Sequence, residues 1–237
     1  MRSTVRAEMD IWQAMEKLNS LIDDSDPDTS LSQIEHLLQS AEALRRDAKP
    51  RWMQITRLIR DLGKLMFFYG AQGQWDVVGD TFPVGCAFDK KNIYLNLFAA
   101  NEDFYHPVYS TDNGIYEPGC GMDNLMLSWG HDVYLYHVVK DQSLLTKEAL
   151  AIIRYQSFYP WHKDGAYHRF MNKHDEEMLK AVQEFNQYDL YSKGDDIPDV
   201  EQLKASGPFF WLLGAAKSPL TYYLELIDEF FPQKVLR

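Results

Sequence analysis

The sequence predicts an all-α protein of one domain. Apolar residues recur at helical spacing in several separate stretches, proline and acidic turns punctuate them, and no repeat, low-complexity tract or linker marks a second domain. At 237 residues with 46% hydrophobic and 14% aromatic content, the chain can bury one substantial core.

The first stripe lies in residues 9–22, where Ile11, Met15, Leu18 and Ile22 follow an i, i+4, i+7, i+11 pattern. The acidic turn Asp23-Asp24-Ser25-Asp26-Pro27-Asp28 stops it. Ser30 or Ser32 is placed to cap a second helix with Ile34, Leu37, Leu38, Ala41 and Leu44 on one face, and Lys49-Pro50 ends it. A third helix is expected from about Trp52 to Phe68. Residues 70–121, rich in Gly, Pro, Asn and Asp, read as a long loop region, which is more often functional than idle. Helices are expected again over 122–140, 146–158, 174–187 and 220–230.

The net charge of −11 disfavours nucleic acid as a partner. No apolar run is long enough to span a membrane, and residues 1–15 hold no signal-peptide core, so a cytoplasmic protein is expected. Cys86 and Cys120 are too far apart in sequence for a zinc pair and read as small buried or pocket-lining residues. His106, His137, His162, His168 and His174 fall into no ligand pattern and read as surface or supporting groups.

Other polar residues are less easily dismissed. His36 lies roughly 130° from the centre of its apolar stripe, and Arg60, Asp61 and Lys64 share a flank away from theirs. Each alone reads as part of a solvated face. His131 and Asp132, in a segment apolar on most sides, read as buried, either as a satisfied core pair or as a site. Taken together, His36, Asp61, His131 and Asp189 come from separate stretches, and facing imidazoles and carboxylates are how helical bundles hold iron or manganese.

Longer motifs sharpen this. Gln33-Ile34-Glu35-His36-Leu37-Leu38-Gln39-Ser40-Ala41-Glu42, Asp61-Leu62-Gly63-Lys64, Gly79-Asp80-Thr81-Phe82-Pro83-Val84-Gly85-Cys86, Ser128-Trp129-Gly130-His131-Asp132, Ser157-Phe158-Tyr159-Pro160-Trp161-His162 and Asp189-Leu190-Tyr191-Ser192-Lys193 all stand in the chain. With the acidic turn at 23–28, they make the sequence resemble the myo-inositol oxygenases, the fungal branch in particular, over residues 8–204 and 222–235.

The resemblance implies a helical bundle of the HD-domain type around a mixed-valent di-iron centre, where O2 cleaves inositol to glucuronate. It implies iron-ligand roles for His36, Asp61 (bridging), His131 and Asp189. It places inositol contacts on Asp23, Ser25, Lys64, Gly79, Asp80, Ser157 and Lys193. Three departures stand out. The HD pair reads Arg60-Asp61, and Gln156 stands where the family has a second imidazole ligand. An apolar insertion at 205–221, with Gly207-Pro208-Phe209-Phe210-Trp211-Leu212-Leu213-Gly214 at its centre, interrupts the closing helix and is expected to pack structurally. The chain also starts inside the family's usual N-terminus, so the arginine supplied there has no counterpart.

Arginine keeps its proton and cannot ligate a metal. The expectation is therefore a divergent member with no metal, or with one ion such as iron, rather than two irons. Arg60, Asp61, Lys64, His131 and Asp189 would serve acid–base or cyclisation chemistry on another small molecule. Two other readings stay open: a working inositol oxygenase with altered ligation, and a non-catalytic protein that binds a ligand or a partner.

Overall fold

The computed structural model describes residues 7–21, 33–188, 219–233 and 235. Among them every regular element is helical, and an isolated bridge pairs Pro83 with Leu127.

Helix α1 spans Ile11–Leu18, shorter than the apolar stripe suggested, because a capping box fixes its start. The Asp10 carboxylate accepts from the Gln13 amide at 2.7 Å, and the Gln13 side chain accepts from the Asp10 amide at 3.0 Å. Helix α2 (Gln33–Arg46) buries Ile34, Leu37, Leu38, Ala41 and Leu44, the face its periodicity indicated. The serines expected to cap it lie outside the described residues.

The third helix differs from expectation in a way that matters. Helix α3 (Arg51–Ile59) ends where a 3-10 segment, Arg60–Tyr69, begins, and Gly70 at φ 107° closes it. Tighter winding changes which side chains face inward, so Arg60 and Asp61 are buried and Lys64 is half-buried. The solvated-face reading of this flank is thereby overturned. Gly63 explains the packing: a Cβ there would stand 2.1 Å from the backbone oxygen of His131. Only a residue without a side chain lets the two backbones come so close.

Residues 70–121 form the expected irregular region, with short 3-10 turns such as Leu95–Ala100 and Glu102–Tyr105. A cluster of Phe82, Phe88 and Phe98, with ring centroids 4.6–5.6 Å apart, holds it together.

Over 122–140 the expected single helix is corrected. Residues 125–129 run extended, tied by Val84 N to the Met126 carbonyl at 2.9 Å and Ser128 N to the Phe82 carbonyl at 2.8 Å. Helix α4 begins only at His131 and runs to Val139, with Gly130 as its cap. Backbone pairing with the loop satisfies this stretch without helix, and apolar content alone cannot tell the two apart.

Helix α5 (Lys147–Tyr155) is capped by Thr146 and stops at Gln156, before the short α6 (Tyr159–His162). Helix α7 (Lys173–Asn186) starts with an Asn172 capping box, and α8 (Pro219–Phe230) packs on α3. Its first residues fall in the expected insertion, whose apolar centre lies outside the described residues. One core joins α1, α2, α3 and α8, and a second joins α5, α7 and the loop region. The 3-10 segment, the start of α4 and the end of α5 meet between them. No helix among the described residues is long and apolar enough to cross a membrane.

Candidate functional site

The described site is a buried polar network built from these three meeting points. Asp132, in the first turn of α4, is fully buried. One of its carboxylate oxygens lies 2.8 Å from His131 Nε2 and accepts from the Gln156 amide at 2.9 Å. The other accepts from the Ser157 backbone N–H at 2.9 Å. Gln156, at the C-cap of α5, turns its amide oxygen the opposite way, to accept from Arg60 Nη1 at 2.9 Å. Arg60 Nε stands 3.1 Å from Asp61 Oδ2, and Lys64 Nζ lies 3.5 Å from Asp61 Oδ1. An unbroken line of polar contacts thus runs from Asp61 through Arg60 and Gln156 to Asp132 and His131.

Charges set the protonation states. Burial by itself would push the Asp61 carboxyl up, but the positive charges of Arg60, Lys64, Arg57 and His36 outweigh it and hold the group well below the usual carboxylate range. Burial pushes His131 down, yet the charge and hydrogen bond of Asp132 prevail and its pKa is raised. Its Nδ1 lies 2.8 Å from the Val77 carbonyl. With oxygen facing both ring nitrogens, the geometry suits a doubly protonated ring. Asp80 is pushed up, by its half-burial and then by the nearby charge of Asp132.

The pocket-side residues converge on the same place. Thr81 N donates to the Ser157 carbonyl at 2.9 Å, which keeps Gly79 and Asp80 beside Ser157. Gly79 adopts φ 116°, with nothing within 4 Å of where a Cβ would stand, so it faces open space. His36 is half-buried, its Nε2 3.4 Å from Arg57 Nη2. The structure therefore gathers Arg60, Asp61, Lys64, His131, Gly79, Asp80, Ser157 and Gln156. Asp23, Ser25, Asp189 and Lys193 lie outside the described residues.

One participant, Arg57, was missing from the residues picked out by sequence, and two others, Asp132 and His162, sit deeper in the network than their motifs indicated. Asp132 was noticed as the partner of His131, yet it is the hub that accepts three donors. Arg57, fully buried, donates to Ser40 Oγ at 2.9 Å. Its position three and four residues before Arg60 and Asp61 was the available signal. His162 is buried behind Gln156, whose backbone carbonyl lies 2.9 Å from its Nε2, and burial pushes its pKa down. His137, His168 and His174 are exposed, as expected.

The described donors do not fit a pair of irons. The Asp61 carboxylate is engaged by Arg60 and Lys64, and both nitrogens of His131 face oxygen. Among the described residues, no group of three or more His, Cys, Asp or Glu side chains is placed to hold a metal. A divalent ion about 4 Å from the Arg60 guanidinium would meet a repulsion of about 8 kcal/mol at an effective dielectric of 20.

Among the described residues the fold is helical, with Arg60 standing before Asp61 where the resemblance implies a histidine. The model of the family "Myo-inositol oxygenase" matches residues 1–237. A probable inositol oxygenase of Oryza sativa subsp. japonica is 48% identical over 97% of this chain and 71% of its own length. Inositol oxygenase 2 of Arabidopsis thaliana is likewise 48% identical, over 97% of the chain and 69% of its own length, and the Danio rerio enzyme is 41% identical over 94% and 76%. The chain belongs to the myo-inositol oxygenase family.

Proposed function

We propose that the chain binds a small polyhydroxylated molecule in the pocket framed by Lys64, Gly79, Asp80 and Ser157. In this reading it acts on that molecule by acid–base chemistry, without a two-iron centre. The observation that carries the reading is the hydrogen bond from Thr81 N to the Ser157 carbonyl. It brings Ser157 next to the turn at Gly79–Thr81, whose glycine has open space beside it, and a hydroxyl and a carboxyl on such a turn suit a ring of hydroxyl groups. Asp23, Ser25 and Lys193 would complete that frame.

Asp80, whose carboxyl is pushed up by its half-burial, is the proton donor in this reading, and His131, with its ring nitrogens on Asp132 and the Val77 carbonyl, adds positive charge. Lys64 and Arg60 place positive charge where a substrate oxygen becomes anionic, and Asp61 and Asp189 balance them. The two cysteines, both free thiols, suit a reducing compartment such as the cytoplasm.

A second reading, a working inositol oxygenase with altered ligation, is favoured by the 48% identity to plant relatives that carry that name. Calorimetric titration with myo-inositol and related polyols, beside an anaerobic iron load followed by an inositol-plus-O2 assay for glucuronate, separates the two. The expected result is polyol binding that weakens about tenfold or more in Lys64→Ala, with no glucuronate formed. Iron-dependent glucuronate production would overturn the proposal in favour of the oxygenase.

A further inference from the structure

The two positions where the described site departs from the ligand set implied by the resemblance are Arg60 and Gln156, and they touch. Arg60 Nη1 donates to Gln156 Oε1 at 2.9 Å, and both side chains are buried. Position 60 lies in the 3-10 segment and position 156 at the end of α5, 96 positions further along the chain. Sequence proximity therefore does not account for the contact.

The chemistry of the pair is matched. A guanidinium has only donors, so its buried neighbour must accept. Asp132 has only acceptors, so the group that reaches it from the same neighbour must donate. A primary amide does both, with its oxygen to Arg60 and its nitrogen to Asp132 Oδ1 at 2.9 Å. Glutamate would set a second anion against Asp132, and lysine a second cation against Arg60. The residue is also anchored through its main chain: the Gln156 backbone carbonyl oxygen lies 2.9 Å from His162 Nε2 and accepts from Asn186 Nδ2 at 3.4 Å. Arg60 meanwhile stands 3.1 Å from the carboxylate oxygen of Asp61, where a cation is needed to offset a buried charge.

We infer that Arg60 and Gln156 form one unit that replaces the metal pair: the guanidinium is the cation beside Asp61, and the amide locks it to Asp132. Metal is excluded by the unit as a whole, not by the loss of either imidazole alone. The inference deepens the function proposed above, but it holds whichever polyol fills the pocket.

The test is iron content per chain by plasma mass spectrometry. It is measured after anaerobic Fe(II) loading and desalting, on the natural chain, Arg60→His, Gln156→His and the double variant. The natural chain and both single variants are expected to retain below about a tenth of an iron, and the double variant about one or more. Two irons on the natural chain would overturn the inference. So would Arg60→His alone matching the double variant, or a double variant with native helical signal and no iron.

A thermal cycle with Arg60→Met, Gln156→Met and both together keeps the question decidable if the histidine pair does not fold. Each single change is expected to lower Tm by about 5–10 °C, and the double change by clearly less than the sum. Additive losses would refute the coupling. Because polyol titration reads binding and not iron, failure here is distinct from failure of the function proposed above.

Discussion

Glu42 and Asp132 are both carboxylates buried between helices, and they are satisfied in different ways. Glu42, on α2, accepts from the Tyr223 hydroxyl of α8 at 2.7 Å and from Arg45 Nε and Nη2 at 2.9 and 2.8 Å. The arginine side chain is 42% exposed, so water shares the task, and the ion pair adds little by itself. The tie is short and closed, and it fastens the last helix to the bundle. Asp132 is fully buried and takes donors from α4 and from the end of α5, and through Gln156 it is joined to a second carboxylate and several cations. A latch needs one carboxylate saturated by neighbours. Charge converging from three elements on Asp61 and Asp132 is more than a latch requires, which is why the second region is the candidate site.

This contrast can be broken at three points. Asp132→Ala should have the largest effect, because three donors, the raised histidine among them, lose their acceptor in a dry place. A loss of about 4 kcal/mol in denaturant unfolding is expected, and a loss near that of a surface substitution would show that the network is dispensable. Gly63→Ala tests whether close backbone approach builds the site. With the new methyl 2.1 Å from the His131 oxygen, the backbones must part, at a cost of about 3 kcal/mol and with weaker polyol binding. An alanine variant of natural stability and affinity would remove glycine from the explanation. Tyr223→Phe should have the smallest effect, since Arg45 stays on Glu42. It should cost about 1 kcal/mol, seen as a fall of about 2–4 °C in Tm with polyol binding unchanged. Any loss of binding there would mean that latch and site are not separate.

Much of the helical framework was legible because apolar spacing reports which face of a helix is dry. Ile11, Met15 and Leu18 of the first stripe and the whole stripe of α2 are buried as their periods indicated, while Ile22 lies outside the described residues. The failures have physical causes. In residues 125–129 the loop supplies backbone partners, so an apolar run became an extended strand instead of a helix. At Arg60–Tyr69 the winding tightened and turned a polar flank inward, which no count at 100° per residue anticipates. Asp132 read only as a partner of His131 because hub status depends on donors from α5, distant in sequence.

The sequence by itself determined the helical framework, which follows from local periods, and the family, which follows from motifs that also set Arg60 and Gln156 where the resemblance implies imidazoles. Only the tertiary structure decided that the two replacements meet, that Gln156 turns its oxygen to Arg60 and its nitrogen to Asp132, and that Gly63 lets α4 come near enough to close the network. The physical reason is that a hydrogen bond between residues far apart in sequence is fixed by how the helices pack, and packing leaves no trace in local spacing.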